Sequence, residues 1–334
     1  MAEPYPGVIS FIRRAFSQQN LTPETIDIMI ASLSESSLKQ YNSAYKKWWL
    51  FCNTNKIADC FSVSIPFILK FFTTLFDAGA GYSTLNTYRS ALSLVLGKNV
   101  GSHDYIIRFL KGVFKKKPCF PKYQCTWDTN LVLDFISNWY PNEDLPLDQL
   151  TKKLVTLLAL STAQRVQTLS IINICNIAFN ESNVIIIIDN LIKTSAPGKQ
   201  MPRLSIPFFP NRPEICPAKT LVSYINSTKL LRDGQNSDKL ILTTKRPFHN
   251  ATASTISRWI KLVLSESGIN TSIFTAHSAR HASTSAANRR GVSVDIIKQT
   301  AGWSGNSLIF GKFYNRPLEQ NNDNVFAQAI FEDC

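Results

Sequence analysis

The sequence lacks any segment that is suited to crossing a membrane or directing export. No uninterrupted apolar run is longer than the one from Val184 to Ile188, whereas a transmembrane helix needs roughly 20 apolar residues. The first residues, Met1 to Gly7, do not show the basic and then apolar order of a secretory signal. We therefore expect no membrane partner, and a nuclear location in a eukaryote or a cytoplasmic one otherwise.

Histidine is scarce, and no two cysteines are spaced like metal ligands. The chain has four histidines and seven dispersed cysteines, with no C-x-x-C pair. Such spacing offers neither a zinc site nor a disulfide framework. We expect reduced thiols, no metal and no cofactor.

Acidic side chains are few in comparison with basic ones. Lys and Arg total 36 against 23 Asp and Glu, which gives a net charge of +13. Residues 1–124 hold 15 basic and 7 acidic side chains. A polyanionic partner, with nucleic acid as the first candidate, fits this excess. Charge alone fits a ribosomal, membrane-surface or simply soluble basic protein equally well.

The length of 334 residues favours two domains. Apolar residues recur at helical spacing from Ser34 onward, and again in 64–78, 83–96 and 104–114. The first part therefore reads as an all-helical domain. The run from Lys115 to Lys122 combines four lysines with two prolines and predicts an extended connector, with a domain boundary near residue 124. A solvated surface stretch, a nuclear-import signal and phosphate contact are equal alternatives for its lysines.

The second part mixes helices with a little sheet. Helical patterns cover 128–139, 147–160, 218–231, 253–266 and 278–290, and strands are predicted at 184–189 and 203–208. The segment 190–202 between the strands predicts a β-hairpin turn or a longer β-loop. The fold class is mainly α with a small β-sheet: a helical domain followed by a mixed α/β domain.

Several residues suit the handling of a phosphodiester. Arg165 interrupts an apolar helical run, and His277 and Arg280 stand three apart, on one helix face. Taken alone, Arg165 would more commonly form a salt bridge with an acidic side chain. The spacing His-x-x-Arg often arises by chance, and His281 fits a structural role equally well. Lys193 follows the first strand, with Lys199 as its rival. Tyr314 is the only tyrosine after Tyr224.

Taken in order, an early arginine, a β-loop lysine, His-x-x-Arg, Gly302-Trp303 and a late tyrosine resemble the active site of the tyrosine recombinase (phage integrase) family. The resemblance spans nearly the whole chain, because the family has a helical core-binding domain ahead of a mixed catalytic domain. The closing Phe-Tyr-Asn-Arg-Pro, residues 313–317, further resembles recombinases of DIRS-type and Crypton mobile elements.

The resemblance implies a role for each site residue. Arg165 and Arg280 would bind the scissile phosphate, and Lys193 would protonate the departing 5′-oxygen. His277 would assist deprotonation of Tyr314, the nucleophile that forms a 3′-phosphotyrosine, and Trp303 would contact the phosphate. Neither a divalent cation nor ATP would be needed.

Two features depart from the family pattern. Thr168 occupies a position where the family commonly has an acidic residue, which predicts a lower activity. The interval from Trp303 to Tyr314 is one or two residues longer than usual, and Gly305 and Gly311 would absorb the difference.

The resemblance also implies an assembly. Residues 1–124 and 125–334 would grip opposite faces of double-stranded DNA, four protomers would act together, and the tail from Leu318 to Cys334 would dock on a neighbouring subunit or, equally, on its own domain. The expected DNA-facing residues of the first domain are Ser83, Thr84, Thr87, Tyr88, Arg89, Lys115, Lys116 and Lys117. The alternatives are a domesticated DNA-binding protein without strand exchange and a type IB topoisomerase.

Overall fold

The chain forms two compact units that divide between Phe120 and Pro121. The computed structural model describes residues 3–198, 200–232, 237–304 and 306–318. The predicted division near residue 124 differs from the observed one by a few residues. Each unit has a hydrophobic core of its own, which allows the two to be described separately.

The described part of the first unit is entirely helical, with α1 (Val8–Ser17), α2 (Pro23–Ala31), α3 (Glu35–Thr54), α4 (Ile65–Asp77), α5 (Tyr82–Leu96), α6 (Lys98–Ser102) and α7 (Asp104–Lys116). The sequence predicted α3, α4, α5 and α7. Helix α3 begins after Ser34, whose hydroxyl accepts a hydrogen bond from the Ser37 backbone N–H at 3.1 Å.

Aromatic side chains fill the core of this unit. Trp48 is completely buried, and its ring meets that of Phe71 edge-on at 5.1 Å. Its indole nitrogen donates to the Cys60 carbonyl at 3.0 Å. Tyr45, equally buried, donates its hydroxyl proton to the Ala91 carbonyl at 2.9 Å. Each buried polar atom named here therefore has a partner, which makes its burial tolerable.

The prediction of an extended connector from Lys115 was wrong for its first two residues. Helix α7 continues to Lys116, and only from Lys117 onward is the chain non-helical. Lysines in the last turn interact favourably with the negative end of the helix dipole, so a basic run there continues the helix. Pro118 follows the C-cap directly, where it prevents further helix.

The second unit confirms the fold class, mainly α with a small sheet. Its described helices are α8 (Thr129–Ser137), α9 (Leu147–Thr162), α10 (Val166–Ser170), α11 (Pro217–Thr228), α12 (Ala253–Glu266), α13 (Ser278–Arg289) and α14 (Val294–Ala301). Helix α9 runs through the core, with Leu150, Leu154 and Leu158 fully buried. It packs against α11, α12 and α13.

The sheet has three antiparallel strands in the order β1 (Ile177–Phe179), β2 (Asn183–Ile187) and β3 (Arg203–Pro207). Strand β1 was not predicted, because three residues give too short a pattern. Val184 pairs with Ile206 and Ile186 with Leu204, so the buried faces of β2 and β3 coincide. The segment between β2 and β3 is the predicted β-loop.

No helix in the described part of the chain combines the length and apolar composition that a membrane crossing requires.

Candidate active site

Arg280 lies at the centre of a cluster built by α9, α13 and α14. Its side chain is among the largest fully buried ones, with 2% exposure of the residue. Its guanidinium donates to the carbonyls of Ala163, just after α9, and of Ala301, the last residue of α14, both at 2.8 Å. The cation stands 4.4 Å from the centre of the Trp303 ring. These contacts hold the guanidinium in one orientation.

The charge of Arg280 has no carboxylate partner among the described ion pairs. Its Nε is buried and lacks a hydrogen-bond partner within the described residues. Burial, and then the positive charge of Arg165, lower the pKa of Arg280 below its ordinary value. A buried cation beside another cation is unfavourable unless an anion joins them. The site is therefore suited to an anionic ligand.

Arg165 is half-buried and stands immediately before α10 as its N-cap residue. The expectation that it interrupts a continuous helical run was wrong. Helix α9 ends at Thr162, and Ala163 adopts a left-handed conformation with φ of 50°. The amide of Gln164 donates to the Thr300 carbonyl at 2.7 Å, which ties this break to α14. The break orients Arg165 toward the β-loop rather than along a helix.

Arg165 and Lys193 line one cavity of about 260 Å³. Lys193 is exposed and lies in the β-loop, as predicted from its place after β2. The next residue, Thr194, has its hydroxyl oxygen 3.9 Å from where a Cβ on Gly302 would stand. The β-loop thus passes beside Gly302, next to Trp303. The rival lysine, Lys199, lies outside the described residues.

Tyr314 reaches the site from a single π-helical turn, Phe310–Tyr314. Its hydroxyl lies 3.1 Å from Nε2 of His277. Ser285 of α13 holds this turn from beneath, because its hydroxyl donates to the Tyr314 carbonyl at 2.5 Å and accepts from the Arg316 N–H at 3.0 Å. The longer interval after Trp303 therefore still brings the tyrosine to His277 of the same chain.

The electrostatic surroundings keep His277 neutral. Part of the residue is exposed, yet desolvation of the ring and then the charge of Arg280 lower its pKa to about 4. Arg165 and Lys193 lower it further in the same direction. At neutral pH the imidazole is uncharged, so its unprotonated nitrogen is able to accept a hydrogen bond from the phenol.

Thr168 is almost fully buried beneath Arg165. Its backbone N–H donates to the Arg165 carbonyl at 2.8 Å, and the residue is 3% exposed. A hydroxyl at this position supplies no negative charge to the arginine. The departure noted in the sequence is thus located directly at the cluster.

Three ionisable or polar residues at the site were not assigned from the sequence. His281, whose role the sequence left open, lies against the ring of Tyr314, and Ser285 holds the turn that carries Tyr314. Ser278 accepts a hydrogen bond from the Trp127 indole at 2.8 Å and thereby fastens the start of α13. The second histidine of His-x-x-Arg-His was the one available signal for this group. No group of His, Cys, Asp and Glu within the described residues is arranged to hold a metal ion.

Residues 140–320, more than half of the chain, match the model of the phage integrase family. The chain belongs to the phage integrase family. All six residues of the predicted site lie within the matched segment. The resemblance drawn from those residues is therefore confirmed at the level of the family. The narrower likeness to DIRS-type and Crypton recombinases stays a prediction.

Solved structures of tyrosine recombinases share the fold of this phage integrase family member. The post-cleavage complex of XerH site-specific recombinase with palindromic difH substrate matches with a TM-score of 0.61 and 13% identity, over 100% of this chain and 96% of that one. The Tn1549 transposon integrase in complex with transposon right end DNA matches with a TM-score of 0.58 and 14% identity, over 98% of this chain and 99% of that one. A lambda integrase tetramer bound to a Holliday junction matches with a TM-score of 0.51 and 15% identity, over 93% of this chain and 78% of that one. No curated protein matches the sequence significantly.

In the first unit, the expected DNA-facing residues differ in exposure. Ser83 and Thr84 are exposed, whereas Thr87 and Arg89 are half-buried. Tyr88 does not belong to that surface. It is 5% exposed and stacks on Phe71 with ring centres 6.4 Å apart. Position 88 falls on the inward face of α5 with Leu85 and Leu92. This helical periodicity places the tyrosine in the core despite its polar hydroxyl.

The guanidinium of Arg89 donates to the Gly101 carbonyl at 2.5 Å, so it is already engaged within its own unit. Lys115, Lys116 and Lys117 are all exposed. Of these, Lys117 donates its ammonium proton to the Gly79 carbonyl at 2.6 Å. The tail expected to dock on a subunit lies, beyond Leu318, outside the described residues.

Proposed function

We propose that this protein cleaves and rejoins double-stranded DNA through a 3′-phosphotyrosine at Tyr314, and so recombines or integrates a specific element. The observation that carries the proposal is the contact of the Tyr314 hydroxyl with Nε2 of His277, 3.1 Å away, beside the buried Arg280. A nucleophile, a neutral base and an unpaired cation converge there. This combination is suited to transfer of a phosphoryl group.

In the cleavage step, the Tyr314 oxygen forms a bond to phosphorus while its proton passes to His277. The bond from phosphorus to the 5′-oxygen breaks, and Lys193 gives its proton to that oxygen. Rejoining reverses both transfers, with a 5′-hydroxyl as the nucleophile. The phosphotyrosine conserves the energy of the broken bond, so no nucleotide cofactor is required.

Arg165 and Arg280 would hold the nonbridging oxygens of the scissile phosphate. Guanidinium groups bind phosphate through two parallel hydrogen bonds and stabilise the charge of the transition state. The buried Nε of Arg280 and the cavity beside Arg165 leave donors available for this purpose. Trp303 already contacts both Arg280 and Tyr314, and the centres of the Trp303 and Tyr314 rings are 4.7 Å apart. Trp303 would therefore close one side of the phosphate site.

The net charge of +13 and the DNA complexes of its structural relatives support a DNA substrate. The lambda integrase tetramer on a Holliday junction supports action by four protomers. The closing Phe-Tyr-Asn-Arg-Pro supports an element-encoded recombinase. The contact of Tyr314 with His277 within one chain supports cleavage by each protomer's own tyrosine.

The decisive experiment traps the covalent intermediate. Purified full-length protein is incubated with candidate element ends that carry a nick near the cleavage position, quenched in detergent, and analysed for DNA-linked protein. We expect an adduct with the wild type and none with Tyr314→Phe, which loses only the hydroxyl. The variant should keep its DNA affinity, because the phenyl ring retains its packing.

A DNA-binding protein without strand exchange is the second candidate, and the absence of a carboxylate at Thr168 favours it. It predicts salt-sensitive DNA binding with no adduct on any nicked end. Thr168→Glu is the matched variant: an adduct that appears only with glutamate would assign the missing activity to this one position.

A further inference from the structure

His281 lies face to face with the nucleophile. Its imidazole and the phenol of Tyr314 are nearly parallel, with ring centres 4.1 Å apart and planes inclined by 17°. His281 is 7% exposed and follows Arg280 directly on α13. The stacked ring leaves the phenol little freedom to turn out of plane on that side.

His281 is itself held from behind. The ring of Tyr123 meets it edge-on, with centres 4.9 Å apart and planes at 73°. Tyr123 is 5% exposed, and its hydroxyl shares a hydrogen bond of 2.7 Å with Thr275. His277 contacts the same imidazole at 5.4 Å. The orientation of His281 is therefore determined by the core of the second unit.

The face of its ring contacts the phenol of Tyr314, and the imidazole also interacts with the backbone of Phe313, the preceding residue. The Tyr314 hydroxyl is hydrogen-bonded to His277, not to His281. Nδ1 of His281 is buried without a hydrogen-bond partner among the described residues. Burial, and then the neighbouring His277, lower the pKa of His281 to about 4. The ring is therefore neutral at neutral pH and adds no charge beside the phenol.

We propose that His281 is a positioning residue, whose stacked ring holds the phenol of Tyr314 in the plane that keeps its oxygen at His277 and beside Arg280. The inference rests on the proposed role of Tyr314 as the nucleophile. Correct orientation of a nucleophile is worth one or more orders of magnitude in rate, and a misplacement of about 1 Å costs up to ~100-fold. If His281 merely filled space in the core, any apolar side chain of similar size would replace it without loss of the adduct rate.

The test places 3-fluorotyrosine at position 314 of the full-length chain and records its fluorine resonance together with the rate of adduct formation on nicked DNA. His281→Phe keeps a stacking ring, whereas His281→Leu fills the space without one. Phe274→Leu is the matched control, because Phe274 stacks on Tyr123 at 5.7 Å, one layer behind His281. All variants are compared well below their melting temperatures.

We expect the resonance of His281→Phe and Phe274→Leu to stay at the wild-type position, with adduct rates within about 3-fold. In His281→Leu it should move toward that of free 3-fluorotyrosine, and the rate should fall by at least ~10-fold at unchanged DNA affinity. A wild-type resonance and rate in His281→Leu would overturn the proposal. Equal loss in His281→Phe and His281→Leu would overturn it too, because an imidazole atom and not the stacked face would then matter. If the wild type forms no adduct, the proposed function fails, while the resonances still decide whether His281 orients the phenol.

Discussion

Acidification should destabilise the second unit through His281. In the unfolded chain this histidine titrates near its ordinary value of 6.5, whereas burial between two tyrosine rings lowers the pKa in the folded chain to about 4. Between these values the unfolded state binds the proton and the folded state does not. The free energy of unfolding therefore falls as the pH falls through this window.

The size of the effect follows from the two pKa values. One unit of difference in pKa corresponds to about 1.4 kcal/mol, so lowering the pH from 6.5 to 4.5 should cost about 2 kcal/mol from His281 alone. Other groups titrate over the same interval, which makes the comparison with His281→Phe essential. The variant keeps the stack but carries no titrating ring, and it should lose about 2 kcal/mol less than the wild type.

Two measurements check this expectation. The chain has only four histidines, so the spectrum of protein labelled with ¹³C at histidine Cε1 is simple, and the signal missing in His281→Phe identifies His281. Denaturant unfolding at pH 6.5 and pH 4.5 then gives the change in stability. A His281 signal that titrates near 6.5, or an equal loss of stability in the wild type and in His281→Phe, would contradict this expectation.

Three further predictions concern the proposed acid, the tyrosine turn and the basic helix end. Lys193→Ala should slow cleavage by about 100-fold or more. A substrate with sulfur in place of the 5′-oxygen should restore the rate, because a thiolate leaves without a proton. If the variant stays slow on that substrate, Lys193 is not the acid. Ser285→Ala should lower the free energy of unfolding by about 1–3 kcal/mol, since the buried Tyr314 carbonyl and the partly buried Arg316 N–H lose their partner. Urea titration beside Ser283→Ala, a half-buried serine of the same helix, measures this loss, and equal losses in the two variants would contradict the prediction. Lys115→Gln with Lys116→Gln should flatten the dependence of log K on log salt by about 0.9 for each DNA phosphate that the lysines neutralise; an unchanged slope would place both lysines off the DNA.

Helices with a regular apolar repeat were predictable, because their signal is local. Helix α12 was predicted from residue 253 to 266 and is observed as Ala253–Glu266. Helices α1 and α2 were not predicted, although Thr22 caps α2 with the Thr22-Pro23 start typical of a helix. Strand β1 and the π-helical turn at Tyr314 are too short to leave a pattern.

The order of residues along the chain was sufficient to predict the family and the residue types of the site, because Arg, Lys, His-x-x-Arg and Tyr occur in a recognisable succession. It also determined the helical repeats, because backbone hydrogen bonds within a helix join residues four apart.

Which side chains meet follows from the three-dimensional fold and not from the local sequence. His277 and Tyr314 are 37 residues apart in sequence, and Arg280 finds its carbonyls at Ala163 and Ala301. Whether a polar residue contacts the nucleophile depends on the neighbours that folding brings to it, as His281 beside Tyr314 illustrates. Such neighbours come from distant segments, and periodicity along the chain carries no information about them.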